Sequence, residues 1–261
     1  IQRLKNQGKT KMFKDALRDL VLSGVQWELT EVSTAIPQNI HKTVEDKPVV
    51  TGAVRNASVV VPPVAPVQTI SLDTVRSMAS RPTDIAALNR MIQEFNHPLR
   101  GAATNTVLPH VGQGRLLILT DMPSSDDDAS GTILSGAVGE LMDKMLSAIG
   151  LSRECVSIVP MLFWRTPGGR TPSREELDLS RPFVDKAIEL MSPSVILTLG
   201  TLPAVEYANI NIAKSHGVPS VLENGITVMP IFHPNYLILK PAAKRDVWNA
   251  LQNMQNILKN A

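Results

Sequence analysis

Short hydrophobic runs alternate with amphipathic segments in the second half of the chain. Four of the runs are strand-like, namely RLLIL (115–119), CVSIVPM (155–161), SVILTLG (194–200) and ITVMPIF (226–232). Helical segments separate or follow them, namely GELMDKMLSAIG (139–150), SREELDLSRPFVDKAIELM (173–191) and AKRDVWNALQNMQNILKN (243–260). Parallel strands need crossover connections, and the crossover helices cover both faces of the sheet. The pattern therefore predicts an α/β protein, a three-layer α/β/α domain with a central four-stranded parallel sheet.

The first 70 residues have a different character. Apolar residues recur there at helical spacing, namely Phe13, Leu17, Leu20 and Val21, which predicts an N-terminal amphipathic helix within residues 1–29. Residues 30–70 are rich in Val and Pro without a period and predict a mobile linker, although the run ASVVV is alternatively an added edge strand. Residues 71–96 return to a helical composition, with Ser71 and Thr83 as N-caps. We therefore expect one domain over residues 71–261.

Composition narrows the class of protein. The chain is 43% hydrophobic, enough for a core, and none of its apolar runs reaches the roughly 20 residues of a membrane-spanning helix. The single cysteine, Cys155, excludes an internal disulfide and any site of several thiolates; we expect it to be buried. The net charge of +2 leaves nucleic-acid binding open. We expect a cytoplasmic, nucleoid-associated bacterial protein without membrane contact, while the basic N-terminus leaves organellar import open.

Ligands of such folds bind at the carboxyl ends of the strands, so the segments that follow the strands are the candidates for chemistry. TDMPSSDDDASG (120–131) is either a solvated, helix-capping loop or an acidic site. Arg165 and Arg170 flank a Pro-Gly-Gly turn and are either solvated or bind phosphate or carboxylate. His233 comes directly after the last strand, and the YLIL that follows is unusually apolar for a loop.

Together and in this order, these segments resemble the uracil-DNA glycosylase superfamily, and most closely its bacterial family-4 enzymes. The family's Gly-Glu-x-Pro-Gly reads Thr-Asp-Met-Pro-Ser at 120–124, and its Arg-Pro-Pro-Gly-Asn-Arg-x-Pro reads RTPGGRTP at 165–172. Its Cys-x-Pro-Phe reads SRPF at 180–183, and its His-Pro and Tyr-Leu-Leu-Arg elements read HPNYLILK at 233–240.

The resemblance implies an enzyme that flips a base out of DNA and breaks its glycosidic bond. It implies that His233 stabilises the leaving base, with Asp121 or Asp127 as the acidic partner. It also implies a base pocket at Leu134 and Pro160, and a wedge of Leu237 and Ile238. The implied DNA contacts are Arg165, Arg170, Tyr236 and Lys240.

The sequence departs from the family at two groups of positions. The family's four iron–sulfur cysteines are replaced by Glu94, His97, Trp164 and Ser180, and such a set cannot hold a [4Fe–4S] cluster; we expect no metal and no cofactor, with the bulky tryptophan and packed helices filling the space. The asparagine that reads the uracil edge is Pro160, which has no polar side-chain atom. The stacking phenylalanine is Leu134.

Two hypotheses follow. In the first, the chain is a divergent paralogue that has lost base excision and serves as a nucleic-acid or protein interaction module, with a protein partner bound through the N-terminal helix or linker. In the second, it is an active DNA glycosylase of shifted specificity, acting on uracil or another deaminated base in single- or double-stranded DNA. A metal-dependent hydrolase is a distant third, because no metal-ligand spacing supports one.

Overall fold

The computed structural model of the protein describes residues 71–260. The N-terminal helix predicted within residues 1–29 and the linker predicted over residues 30–70 lie outside the described residues and stay predictions. Within the described range, none of the helices has the length and apolar character needed to cross a membrane.

Five strands form one sheet in the order β2-β1-β3-β5-β4. The four predicted strands are present and parallel, namely β1 (Leu116–Thr120), β2 (Val156–Pro160), β3 (Val195–Leu199) and β5 (Thr227–Ile231). The fifth, β4 (Ser220–Val221), pairs antiparallel with β5 at the edge. The predicted count of four is therefore one too low, because a two-residue exposed strand leaves no periodic pattern to detect.

Nine α-helices accompany the sheet in the described range. In chain order they are α1 (Leu72–Ala79), α2 (Ile85–Glu94), α3 (Ser125–Ser130), α4 (Gly136–Ala148), α5 (Arg174–Met191), α6 (Thr201–Ala208), α7 (Ile212–Ser215), α8 (Pro234–Leu239) and α9 (Lys244–Asn260).

Two hydrophobic cores lie on opposite faces of the sheet. Because side chains alternate along a strand, Leu116 and Ile118 of β1 pack into one core, and Leu117 and Leu119 pack into the other. The first core includes residues of α4 and α9, and the second includes residues of α1, α2 and α5. Burial on both faces explains why these strands are uninterrupted apolar runs. The predicted three-layer α/β/α architecture is confirmed.

Two local predictions are wrong. Ser71 caps α1 as predicted, but the cap of α2 is Asp84 rather than Thr83, because the Asp84 carboxylate accepts a hydrogen bond from the Ala87 amide at 2.7 Å. Cys155 is exposed rather than buried. It lies in the short 3-10 turn that precedes β2, where the chain has not yet entered the core.

Candidate active site at the carboxyl edge of the sheet

The ends of β1 and β5 bring three functional side chains together, and the end of β3 leaves room for them. His233 is the N-cap of α8, two residues after β5 ends, and its Nε2 atom lies 3.2 Å from the Thr120 hydroxyl at the end of β1. The same Nε2 atom lies 3.5 Å from a carboxylate oxygen of Asp121. Gly200 follows β3, and a Cβ atom there would lie only 3.3 Å from the Cβ of His233. The glycine therefore lets the histidine approach the sheet edge closely.

Hydrogen bonding orients the His233 ring and selects the tautomer of its neutral form. The Asn235 amide donates to its Nδ1 atom at 3.2 Å, so in the neutral ring Nδ1 is the acceptor and Nε2 carries the proton. The proton-bearing nitrogen therefore faces Thr120 and Asp121. Burial raises the pKa of Asp121, and the nearby His233 opposes that shift. The arrangement presents an N–H donor beside a carboxylate, a combination suited to stabilising negative charge and to handling a proton.

The aspartates of the first loop (120–131) differ in burial and in hydrogen-bond partners. Asp127 is buried and completes the capping box of α3, where it accepts from the Ser124 amide. It also accepts from the amide and the hydroxyl of Ser135, at 2.6 and 2.7 Å. Asp128 accepts hydrogen bonds from the backbone amides of Thr104 and Asn105. Asp126 is exposed. Of the two predicted acids, Asp121 contacts His233, and the hydrogen bonds of Asp127 hold the loop together.

Leu134 and Pro160 are both buried. Pro160 ends β2 and is paired with Thr120 of β1 in the sheet register. The Met161 amide donates to the carbonyls of Thr120 and Asp121, both at 2.9 Å, and so joins the end of β2 to the acidic loop. Because β2 is an outer strand, a proline at its end does not interrupt the sheet. A residue with no side-chain donor or acceptor thus adjoins the His233 site.

The two predicted phosphate-binding arginines differ in their contacts. Arg170 forms a two-point pair with the carboxylate of Glu176 in the first turn of α5, at 2.9 and 2.5 Å. This pairing lowers the pKa of Glu176 to about 2. The Arg170 side chain is nevertheless 47% exposed. Arg165 is half-buried on the other side of the Pro167–Gly169 turn. The charge of Arg170 is therefore largely engaged within the protein.

The apolar loop after His233 forms the short helix α8. Leu237 is 1% exposed and belongs to the core. Ile238 and Leu239 are 43% and 73% exposed. Tyr236 is also exposed, and the Lys240 ammonium lies 5.4 Å from the centre of its ring. A helical turn explains the pattern, since it points one of three consecutive residues inward. The exposed apolar pair is Ile238 and Leu239.

Three of the four positions that correspond to cluster cysteines lie together in the second core. His97, Trp164 and Ser180 are buried, while Glu94 is exposed. The rings of His97 and Trp164 stack with centroids 4.6 Å apart. The His97 Nε2 atom lies 3.1 Å from the Glu176 carbonyl oxygen and 3.4 Å from the Ser180 hydroxyl. Burial lowers the pKa of His97. Stacked rings fill this part of the molecule.

Some residues of the site were not singled out from the sequence. Thr120 belongs to the first motif, but the sequence assigns it no role, because its contact with His233 spans 113 positions along the chain. The predicted wedge of Leu237 and Ile238 does not include Leu239, because the sequence does not reveal the helical phase of α8, which buries Leu237 and exposes Leu239. Among the described residues, no cluster of three or more His, Cys, Asp or Glu side chains is arranged to hold a metal ion.

Comparison with known proteins agrees with this geometry. The family model for the Uracil DNA glycosylase superfamily matches residues 109–252. Type-4 uracil-DNA glycosylase of Thermotoga maritima is 33% identical over 148 residues, which cover 54% of this chain and 76% of that protein. The protein of the same name from Archaeoglobus fulgidus is 31% identical over 160 residues, covering 57% and 79%. That from Pyrobaculum aerophilum is 28% identical over 175 residues, covering 62% and 89%.

Proposed function

Because this chain belongs to the uracil-DNA glycosylase superfamily, we propose that it is a DNA glycosylase that removes a deaminated base from DNA. The observation that supports this most is the contact of His233 with Thr120 and Asp121 at the sheet edge. The carboxyl ends of two strands, β1 and β5, supply these groups. A protein that had only to bind DNA would not need a carboxylate beside an oriented imidazole at this edge.

In the proposed reaction, the bond between the base nitrogen and C1′ of the deoxyribose breaks, and the electron pair leaves with the base. The sugar becomes positively charged as the base becomes an anion. The Nε2 proton of His233 donates a hydrogen bond to an oxygen of that anion and stabilises it. The Asp121 carboxylate faces the positive sugar and accepts the proton of the water that adds to C1′. The products are an abasic site and the free base.

Access to the base requires it to leave the helix stack, and we assign the wedge to the exposed pair Ile238 and Leu239. The burial of Leu237 argues against the wedge role predicted for it. We assign phosphate contacts to Lys240 and Arg165, with Tyr236 beside Lys240. Since the Arg170 guanidinium is paired with a carboxylate, its proposed role is to hold the turn that presents Arg165.

Base selection is the step in which we expect this protein to differ from its relatives. Pro160 offers no hydrogen bond to a base edge, and Leu134 offers an aliphatic surface in place of an aromatic ring. A pocket that loses a hydrogen-bonding group loses discrimination between bases that differ in their polar edges. We therefore propose weak selection among uracil, hypoxanthine and xanthine.

We further infer that no [4Fe–4S] cluster takes part. The residues at the four corresponding positions include no thiolate, and the rings of two of them, His97 and Trp164, stack on each other. The residues present do not fit such a group, so every proposed step uses side chains of this chain alone.

A second candidate function is a DNA- or protein-binding module that does not excise bases, with a protein partner bound through residues 1–70. The observation that favours it is Pro160, which removes the base-reading group at the pocket edge. It differs from the first proposal in one measurable respect: it predicts DNA binding without an abasic product.

The experiment incubates excess protein with single- and double-stranded oligonucleotides that contain one uracil, hypoxanthine or xanthine, and measures alkali-labile abasic sites. We expect product with at least one base, and a large loss of rate in Asp121→Asn. Asp73→Asn is the matched control, because Asp73 is 92% exposed and paired only with Arg76 of the same helix. Retained DNA binding with no abasic product from any substrate would establish the binding module instead.

A further inference from the structure

Arg153 lies behind the wall of the proposed base pocket, and we infer that it is a positioning residue for that wall. The inference rests on the proposed function. Arg153 belongs to the short 3-10 turn before β2, about 20 positions along the chain from the pocket residue Leu134. Its side chain is largely buried, with 22% exposed. Arg153 lies outside the sequence motifs that follow the strands.

The guanidinium of Arg153 binds two consecutive carbonyl groups of the pocket loop. One terminal nitrogen donates to the Ile133 carbonyl and the other to the Leu134 carbonyl, both at 2.8 Å. The third nitrogen, Nε, donates to Asp143 of α4 at 3.0 Å. Three directed bonds from one rigid planar group fix its orientation. A lysine could not make the two carbonyl bonds in this geometry.

The backbone conformation of Leu134 needs such support. Its φ angle is +50°, in the left-handed region that branched and bulky residues disfavour. The peptide group between Leu134 and Ser135 is held on both sides: its carbonyl accepts from Arg153, and its amide donates to Asp127 at 2.6 Å. Because a peptide group is planar, these two opposed bonds fix its tilt and so the direction of Leu134.

Helix α4 leaves room for this arrangement at Gly139. A Cβ atom at that position would lie 1.9 Å from the Leu134 carbonyl oxygen and 3.3 Å from an Arg153 nitrogen. The absence of a side chain at Gly139, the Arg153 guanidinium and the buried Asp127 thus all constrain the segment 133–135. Together they hold the pocket wall in one conformation before any base enters, which is how a site avoids spending binding energy on ordering itself.

Thermal unfolding of a set of variants tests the clamp independently of catalysis. Leu134→Gly and Leu134→Ala both remove the side chain, but glycine adopts a positive φ angle freely and alanine does not. With Arg153 intact, we expect the L134G protein to melt about 2 to 8 °C above the L134A protein. In the R153Q background we expect this gap to shrink to less than half, because the released segment leaves the left-handed region.

An unchanged gap in the R153Q background would overturn the inference, since a merely structural arginine lowers both melting temperatures equally. R153K is a milder second variant that keeps the positive charge near Asp143 and loses the paired hydrogen bonds to the two carbonyls. It should also reduce the difference in melting temperature between L134G and L134A. D143N keeps both carbonyl bonds and should leave the gap unchanged. R76Q, at an exposed arginine paired with Asp73, is the control for loss of a surface ion pair.

Single-turnover base excision tests the positioning role itself. We expect R153Q to lower the rate at saturating protein by about tenfold or more without weakening DNA binding, as a small misplacement of a reacting group does. Wild-type rates in R153Q would overturn the role. If the wild-type protein excises no base, the proposed function fails, whereas the thermal comparison still decides whether the clamp exists.

Discussion

Replacing Trp164 with alanine tests whether packed aromatic rings stabilise the domain at a position where the family resemblance implies a cysteine. Trp164 is fully buried, stacks on His97, and donates from its indole nitrogen to the Thr106 hydroxyl at 3.0 Å. Phe95 and Phe163 contact the Trp164 ring, and Phe183 packs against Phe95. Truncating a buried aromatic residue to alanine costs about 3–5 kcal/mol. For a domain of this size, each kcal/mol lowers the melting temperature by about 2–4 °C.

We therefore expect W164A to lower the melting temperature by about 6–20 °C, as measured by circular dichroism. Leu72→Ala is the control, because Leu72 is 38% exposed and substitutions at such positions change stability by about 0.5 kcal/mol or less. The wild-type protein should contain no iron, and a chelator should leave its melting temperature unchanged. A fall of less than 2 °C in W164A, or a chelator-induced loss of stability in the wild type, would refute the reasoning about this core.

Three further predictions concern pH, base reading and DNA contact. Burial lowers the pKa of His97, so below the unfolded pKa of about 6.5 the unfolded chain takes up a proton that the folded chain does not. The stability of the fold therefore falls as the pH decreases from 7 to 5. H97Q should flatten this pH dependence in thermal melts, and an equal slope in H97Q and wild type would contradict the prediction. Pro160→Asn restores a base-edge donor and acceptor, so the ratio of uracil to hypoxanthine excision should rise by about tenfold or more, and an unchanged ratio would count against Pro160 as a pocket residue. Leu239→Ser should slow excision from duplex DNA more than from single strands, because only the duplex must be wedged open; equal effects on both would remove Leu239 from the wedge.

The sequence predicted the parallel sheet well because each strand is buried on both faces. Such strands are short uninterrupted apolar runs, and their carboxyl ends mark the ligand edge whatever the register. This is why the sequence alone predicts His233 and Asp121 at the same edge of the sheet. The sequence does not predict the two-residue strand β4, because it is exposed and too short to show a periodic pattern.

Side-chain partners could not be predicted in the same way. Asp121 and Asp127 looked equivalent as acids, and only the three-dimensional positions of Ser124 and Ser135 assign Asp127 to holding the loop. The choice between Leu237 and Leu239 depends on the phase of a six-residue helix, which an apolar run of this length does not reveal.

The most direct test of the central claim is the single-turnover rate of abasic-site formation in a uracil-containing single strand, for wild type and His233→Gln. Both proteins must melt at similar temperatures for the comparison to hold. We predict a measurable wild-type rate and a loss of about 100- to 1000-fold in H233Q, the usual effect of removing a donor that stabilises a developing anion. Equal rates in the two proteins, or no product from the wild type at protein excess, would contradict the claim.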